Sequence, residues 1–356
     1  MKALSEVIMI KKQMNIVVLA GGTSSERDVS IVSGTGVCRA LRERGHRAVL
    51  IDVFFGTETV DWDNPFPEEY DVDAAVEQIH SYSQNLEAEM DSRREFFGPN
   101  VLKLCSAADV TFLALHGANG EDGRLQAAFD LFGIKYTGTG YLSSALAMDK
   151  TMTKQCLRAA GIPTPDGISL VKGKFDRIPL PEEFSMTYPV VVKPCCGGSS
   201  VGTSIVFSEP EYLDALKESF SLEPEAVIES YIGGREFSVA VIGDQAYPII
   251  EIAPIHGFYD YNNKYSAGAV VETCPADLSD AKTKEMQELA VRGAEALGIT
   301  GYCRFDFLMD RDGNLFALEA NTLPGMTPTS LVPQEAAALG ISYPRLCEIL
   351  IEKSFE

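Results

Sequence analysis

The sequence predicts an α/β chain that changes architecture partway along. A doubly wound parallel sheet is expected over about residues 1–138, followed by an α+β region of antiparallel strands and helices. Two observations carry this. Up to 138, short apolar strands alternate with helical patterns across glycine-containing turns, the rhythm of a parallel sheet. Beyond it, strand runs follow one another across tight turns, at Gly233-Gly234 and at the Asp-Gly between Asp310 and Asn314.

The elements follow in order. Asn15 to Ala20 (NIVVLA) is too short for a helix and rich in β-branched residues, so it reads as a strand; Gly21-Gly22 ends it. Val29, Val32, Val37, Ala40 and Leu41 recur at helical spacing. Arg47 to Val53 and Asp109 to Leu115 are further strands, the latter followed by a helix from Gly123 to Phe132. Residues 57–100 are polar and acidic, a surface insertion with one expected helix near Ala74–Glu89. A single helix is expected from Ser144 to Ala160, stopped by Gly161 and Pro163. Tyr188–Pro194, Glu225–Val241 (two strands), Ala246–Pro254, Gly301–Met309 and Leu315–Glu319 read as strands. Asp280–Leu297 reads as a helix.

At 356 residues the chain has room for two or three domains. Its 51 acidic against 30 basic residues give a net charge of −21, which argues against a nucleic-acid partner or a basic membrane-surface protein. No stretch of about 20 apolar residues exists to span a membrane. The eight cysteines form no C-x-x-C pair and read as small buried hydrophobes of a reducing cytosol. The apolar run within residues 1–14 is interrupted by Glu6 and has no small-residue cleavage site, so it does not read as a signal peptide.

Five stretches could carry chemistry. Arg304 and Asp306 are two apart on one strand, and Glu319 and Asn321 repeat that spacing on its neighbour, so each pair shares a sheet face. Two carboxylates and an amide oxygen are hard ligands suited to Mg²⁺; the alternative is a plain exposed strand face. Lys193 ends an apolar strand and precedes Cys195-Cys196-Gly197-Gly198-Ser199-Ser200-Val201-Gly202. Such a loop can close N–H groups over phosphate oxygens, or be only a turn. His116 opens HGANGEDG at a strand's C-terminal end, where open α/β sheets gather ligands, and could equally serve as a local hydrogen-bonding residue. Glu26 lies in SSERD at the start of the first helix, where capping is the competing role. The aromatic run Phe258 to Tyr265 reads as a mobile lid or as a surface loop.

Taken together, GGTSSERDVS, LHGANGEDG, SSALAMDK, VVVKP…GSSVG, FYDYNNKY, GYCRFDF and LEANTLPGMTPTSLVP resemble the D-alanine–D-alanine ligases of the ATP-grasp superfamily, in the family's order and over about residues 15–352. The resemblance implies an N-terminal α/β substrate-binding domain (1–138), a central ATP-grasp domain (139–229) and a C-terminal catalytic one (230–356), with ATP sandwiched between antiparallel sheets. It implies ATP with two Mg²⁺ ions, or Mn²⁺ in their place, and two molecules of D-alanine. It also implies a cytoplasmic homodimer engaged in peptidoglycan precursor synthesis.

Residue by residue, the resemblance places Lys150, Lys193 and Ser200 on ATP phosphates, and Glu229 and Glu236 on adenine and ribose. It makes Asp306, Glu319 and Asn321 the metal ligands. Glu26, held with Ser199 and Tyr265, would anchor the first D-alanine's ammonium, with His116 nearby. Arg304 and the Gly325 N–H would form the oxyanion site. Ser330 would receive the second D-alanine's carboxylate, and Lys264 would reach the γ-phosphate. The chain departs from the family at Cys195-Cys196-Gly197, where polar or charged residues are usual. It keeps Tyr265, the lid residue of the dipeptide-forming type. The alternatives are another ATP-grasp carboxylate–amine ligase, joining D-alanine to D-serine or D-lactate, and a silent nucleotide-binding regulator on the same fold.

Overall fold

The computed structural model describes residues 13–254 and 270–355, which fall into two compact units. The first comprises the chain up to Ser144 together with Ile299–Cys303 and Thr322–Glu356; the second comprises Ala145–Gly298 and Arg304–Asn321.

The first unit opens with β1 (Asn15–Ala20), α1 (Arg27–Glu43) and β2 (Arg47–Asp52). Its three-stranded sheet runs β2-β1-β3, with β3 at Val110–Leu113, and both pairings are parallel. β1 is central, and Ile16 to Ala20 are fully shielded from solvent, as expected of a strand covered on both faces. α1 lies so close that a Cβ on Gly34 would stand 2.6 Å from the Cβ of Ala20. At its start, Arg27 and Asp52 form a buried ion pair at 2.6 Å.

The insertion differs from expectation. Residues 57–100 hold two helices, α2 (Val72–Ser83) and α3 (Leu86–Ser92), where one was expected. α3 buries no residue, so it carried no apolar stripe to announce it. α4 (Val101–Ala107) leads into β3, and α5 (Arg124–Phe132) follows it. The helix expected over 144–160 is two: α6 (Tyr141–Met148) and α7 (Lys150–Ala159). Asp149 makes the break, because its side chain accepts the Met152 N–H at 2.9 Å and so caps a new helix.

The second unit holds two further sheets. One, ordered β4-β7-β5-β6, uses β4 (Gly167–Val171), β5 (Val190–Pro194), β6 (Ser204–Val206) and β7 (Glu225–Ser230), all antiparallel. α8 (Glu209–Leu222) covers it, with Tyr212 and Leu216 packed on Val190, Val192 and Ile228. The other is ordered β11-β10-β8-β12-β13, with β9 paired to β8. Its strands are β8 (Gly234–Ile242), β9 (Gln245–Ala246), β10 (Ile250–Pro254), β11 (Val270–Thr273), β12 (Tyr302–Asp310) and β13 (Leu315–Asn321). The single strand expected over 246–254 is interrupted at Pro248, which has no N–H for a ladder. α9 (Asp280–Ala296) completes this unit.

The chain then returns to the first unit with α10 (Leu331–Ala338) and α11 (Tyr343–Lys353). α11 is tied to the α1–β2 region by Glu348, which pairs with Arg44 at 3.0 Å and meets His46 at 3.3 Å. Parallel strands in one unit and antiparallel strands in the other are what the sequence predicts.

Candidate active site

In the second unit a cavity of about 420 Å³ lies between the two antiparallel sheets. Its apolar walls come from both, with Val191 and Ile205 on one side and Ile252, Leu308 and Leu318 on the other. Such walls suit a flat, weakly polar ring. The polar lining includes Lys150, Lys193, Ser199, Ser200, Glu229 and Glu236, together with Arg304, Asp306 and Glu319. The cavity thus gathers most of the residues that the resemblance assigns to nucleotide and metal.

Its electrostatics start from Glu229. β5 and β7 pair Val191 with Glu229, which puts Lys193 diagonally across from the carboxylate on the same face. Lys193 reaches Glu229 at 3.0 Å, and Lys154, from α7, reaches it at 2.9 Å. Burial alone would raise the Glu229 carboxyl's pKa, but the two ammonium charges hold it below the usual carboxylate range. Burial pushes Lys154 the other way, down to about 8, with Glu229 opposing and Lys193 adding repulsion. Two lysines share this one carboxylate, and Lys193 of the pair lines the cavity, where an ammonium can meet a phosphate oxygen. Lys150, at the start of α7, donates to the Gly197 carbonyl and stands 3.7 Å from Glu319.

The loop after β5 carries Ser199 and Ser200 in left-handed backbone, at φ 49° and 57°. Two consecutive non-glycine residues there are unusual, and such outliers cluster where a loop clasps a ligand. Cys196 is anchored by its N–H to Glu223 at 2.8 Å.

Across the cavity, β12 pairs with β13 so that Arg304 faces Asn321 and Asp306 faces Glu319, which puts all four on one sheet face. The register shifts immediately after Asp306, a bulge of the kind that re-aims side chains beside active sites. Arg304 grips Asp306 with two parallel bonds, Nε to Oδ1 at 2.9 Å and a terminal nitrogen to Oδ2 at 2.6 Å. The expected oxyanion donor and an expected metal ligand are therefore partners of each other in this structure. Asn321 Oδ1 is buried without a hydrogen-bond partner. An orphaned amide oxygen beside two carboxylates is an all-oxygen donor set, which fits Mg²⁺.

The remaining expected residues lie in the first unit. Glu26 occupies the N-cap position of α1, yet its side chain makes no capping bond. Its place at the N-cap still sets its charge against the positive end of the helix dipole. Its carboxylate lies against the loop after β3, where a Cβ on Gly117 (φ +69°) would stand 3.1 Å from Glu26 Oε2. His116 is buried. Its Nδ1 meets the Leu323 carbonyl at 3.0 Å, and its Nε2 meets the Ser33 hydroxyl at 3.1 Å. A carbonyl only accepts, so Nδ1 carries a proton and donates to Leu323. Ser33 in turn accepts the Met326 N–H at 3.4 Å. Glu121 ties the same two segments, accepting from Gly117 N at 2.6 Å and Leu323 N at 3.3 Å. His116 and Glu121 thus set the segment that carries Gly325. Ser330 occupies the N-cap position of α10 without a side-chain capping bond, and its hydroxyl accepts the Thr327 N–H at 3.1 Å. Tyr265 and Lys264 lie outside the described residues.

Three positions that brace the expected site residues escape the sequence. Lys154 is one turn after Lys150 on α7, and that i, i+4 spacing was the available signal. Ser33 meets His116 and Met326, and Glu121 meets Leu323 as well as nearby Gly117, and no local pattern reveals the chain-distant partners.

Two antiparallel sheets that close on a cavity lined by lysines, a glycine- and serine-rich loop and an oxygen ligand set define an ATP-grasp ligase. The family models agree: "D-ala D-ala ligase N-terminus" matches residues 15–139 and "D-ala D-ala ligase C-terminus" matches 156–352. The chain belongs to the D-alanine–D-alanine ligase family. It is 42% identical over 347 residues to the D-alanine–D-alanine ligase of Pediococcus pentosaceus, covering 95% of this chain and 97% of that one. It also resembles the crystal structure of the Bacillus anthracis D-alanine–D-alanine ligase, with TM-score 0.74, 33% identity, and coverage of 96% and 97% of the two chains. The same Bacillus anthracis enzyme complexed with ATP matches with TM-score 0.72 and 30% identity, over 96% of this chain and 97% of that one.

Proposed function

We propose that this protein joins two D-alanines into D-alanyl-D-alanine at the expense of ATP. The observation that carries the proposal is one cavity holding cationic Lys150 and Lys193, the Ser199–Ser200 loop and the oxygen ligands of β12 and β13. The adenine would lie between the apolar walls, with Glu229 and Glu236 toward adenine and ribose and Lys150, Lys193 and Ser200 toward the phosphates. Asp306, Glu319 and Asn321 would hold Mg²⁺, which supplies charge neutralisation and orientation of the phosphate oxygens when bound.

The chemistry follows from charge. A carboxylate resists attack by an amine, so the first D-alanine's carboxylate takes the γ-phosphoryl group of ATP and becomes an acyl phosphate, releasing ADP. Glu26 would anchor that substrate's ammonium, with Ser199 and Tyr265 in the same hydrogen-bonded set. His116 would act from the side. Ser330, at the start of α10, would receive the second D-alanine's carboxylate, which a helix N-terminus favours. The second amine then attacks, Arg304 and the Gly325 N–H would stabilise the oxyanion, and phosphate leaves. Lys264 would reach the γ-phosphate from the lid. Cytoplasmic residence, a homodimer, the boundaries 1–138, 139–229 and 230–356, and a place in peptidoglycan precursor synthesis belong to the same proposal.

The test is release of ADP and phosphate with Mg²⁺ and D-alanine, L-alanine, D-lactate plus D-alanine, or D-serine plus D-alanine, with products identified by mass. D-alanine-dependent release with the dipeptide as product is expected. Release that requires D-lactate or D-serine would move the protein to a related ligase. No release from protein that binds ATP would make it a silent regulator.

A further inference from the structure

The one sequence feature that the ligase reading leaves unused is the vicinal pair Cys195-Cys196, which sits between Lys193 and the glycine-rich loop. The fold brings a third group to it. Asp149 caps α7, and the backbone of the next residue, Lys150, donates to the Cys195 carbonyl at 3.1 Å, which locks the helix start onto the end of β5. The Cys195 thiol lies 3.3 Å from Asp149 Oδ1 and 3.4 Å from the Thr151 hydroxyl. One ligand atom each from Asp149, Cys195 and Cys196 falls within 4.8 Å of the others. Cys195 is buried, Asp149 half-buried and Cys196 exposed, so the cluster has a solvent entrance.

These dimensions suit a particular class of ion. A tetrahedral zinc ion with Zn–S bonds of about 2.3 Å holds two sulfurs roughly 3.8 Å apart, so the cluster is within about an ångström of the required geometry. Two sulfurs and one carboxylate oxygen are a soft donor set, which selects zinc or cadmium and discriminates against Mg²⁺. Oδ1 of Asp149 both accepts the Met152 N–H and faces the Cys195 thiol, and its second lone pair remains for an ion.

We propose that Cys195, Cys196 and Asp149 form a binding site for a thiophilic divalent cation of the zinc class, and that the bound ion clamps the phosphate loop to the start of α7. Two S–metal bonds and one O–metal bond form, three waters leave the ion, and two thiol protons pass to solvent. The clamp joins the same segments that Lys150 and Gly197 already join, so it restrains the loop from shifting onto phosphates. The site stands on its own geometry; the consequence for nucleotide rests on the ligase reading.

The test uses the full-length protein titrated with cadmium and followed by thiolate-to-cadmium charge-transfer absorption in the ultraviolet, with zinc as competitor. One equivalent is expected in the wild type that a Cys195→Ser/Cys196→Ser double variant lacks, with about two protons released and no displacement by millimolar Mg²⁺. Asp149→Asn, which preserves the helix cap, is expected to weaken cadmium by about tenfold or more. Equal absorption in the double variant would overturn the site, as would unchanged affinity in Asp149→Asn. ATP affinity, measured by direct binding, is expected to fall on zinc loading in the wild type and not in the double variant. Unchanged affinity would overturn the clamp. If D-alanine-dependent ADP release is absent from every form, the ligase reading fails while the cadmium stoichiometry still decides the site.

Discussion

The two units build their functional residues in opposite ways. In the second, charged side chains on strands and on α7 balance one another while buried: Glu229 against Lys154 and Lys193, Asp306 against Arg304. In the first, positions are set by hydrogen bonds between uncharged groups, backbone and a carboxylate: His116 to Ser33 and Leu323, Glu121 to Gly117 and Leu323. The difference teaches where stability and chemistry are coupled. Removing one member of a buried charge cluster strands the others, so fold and function fall together. Removing a neutral hydrogen-bonding group costs less and shifts geometry first.

The sharpest way to break that contrast is Glu229→Ala, which leaves two buried lysines without their anion. A loss of about 3–5 kcal/mol in unfolding free energy is expected by urea denaturation, together with loss of ATP binding. A cost no larger than that of a first-unit variant would remove the distinction. Next is Arg304→Ala. Turnover should drop roughly 10²–10³-fold, as for other oxyanion donors, while ATP affinity changes little. Equal loss of both would mean that Arg304 serves the structure of Asp306 and not the oxyanion. His116→Ala should cost about 1–3 kcal/mol of stability through the polar groups it leaves unpaired, with a further loss of turnover; thermal unfolding measures the first.

The smallest effect concerns Lys154. Burial pushes its pKa down from the usual 10.5 of a lysine to about 8. The charged form is penalised in the folded protein, fully so below about pH 8. That penalty is relieved as pH rises toward 10.5, so this group makes the protein more stable with rising pH. Other thiols and phenols titrate in that window, so the comparison is with Lys154→Met. The stability of the wild type relative to the variant should rise between pH 8 and 10.5. A flat difference would show that Lys154 carries no such burden.

The same contrast explains what could be read from the sequence. Period two on strands announced that Arg304 and Asp306 share a face, and Glu319 and Asn321 likewise, and the structure pairs them across β12 and β13. The short apolar run NIVVLA located β1, because a strand covered on both faces must be apolar throughout. The break at Asp149 was not legible, since a capping aspartate looks like any polar residue within a helical pattern. Nor was the share of Glu229 taken by Lys154, because α7 meets β7 only in three dimensions. The roles of Ser33 and Glu121 depend on Leu323 and Met326, some two to three hundred residues away, and no local rule spans that distance.

One feature of the chain path bears on how the protein is made. The first unit needs residues 322–356, so it cannot close until the last stretch of the described chain has emerged from the ribosome. At 5–20 residues per second, its first 144 residues wait on the order of 10–40 s for α11. The second unit has all its residues by Asn321 and can pack earlier, reversing the usual N-terminal-first order. During that interval the face of α1 around Gly36, which Tyr343 later covers, stands open to solvent and to neighbouring nascent chains.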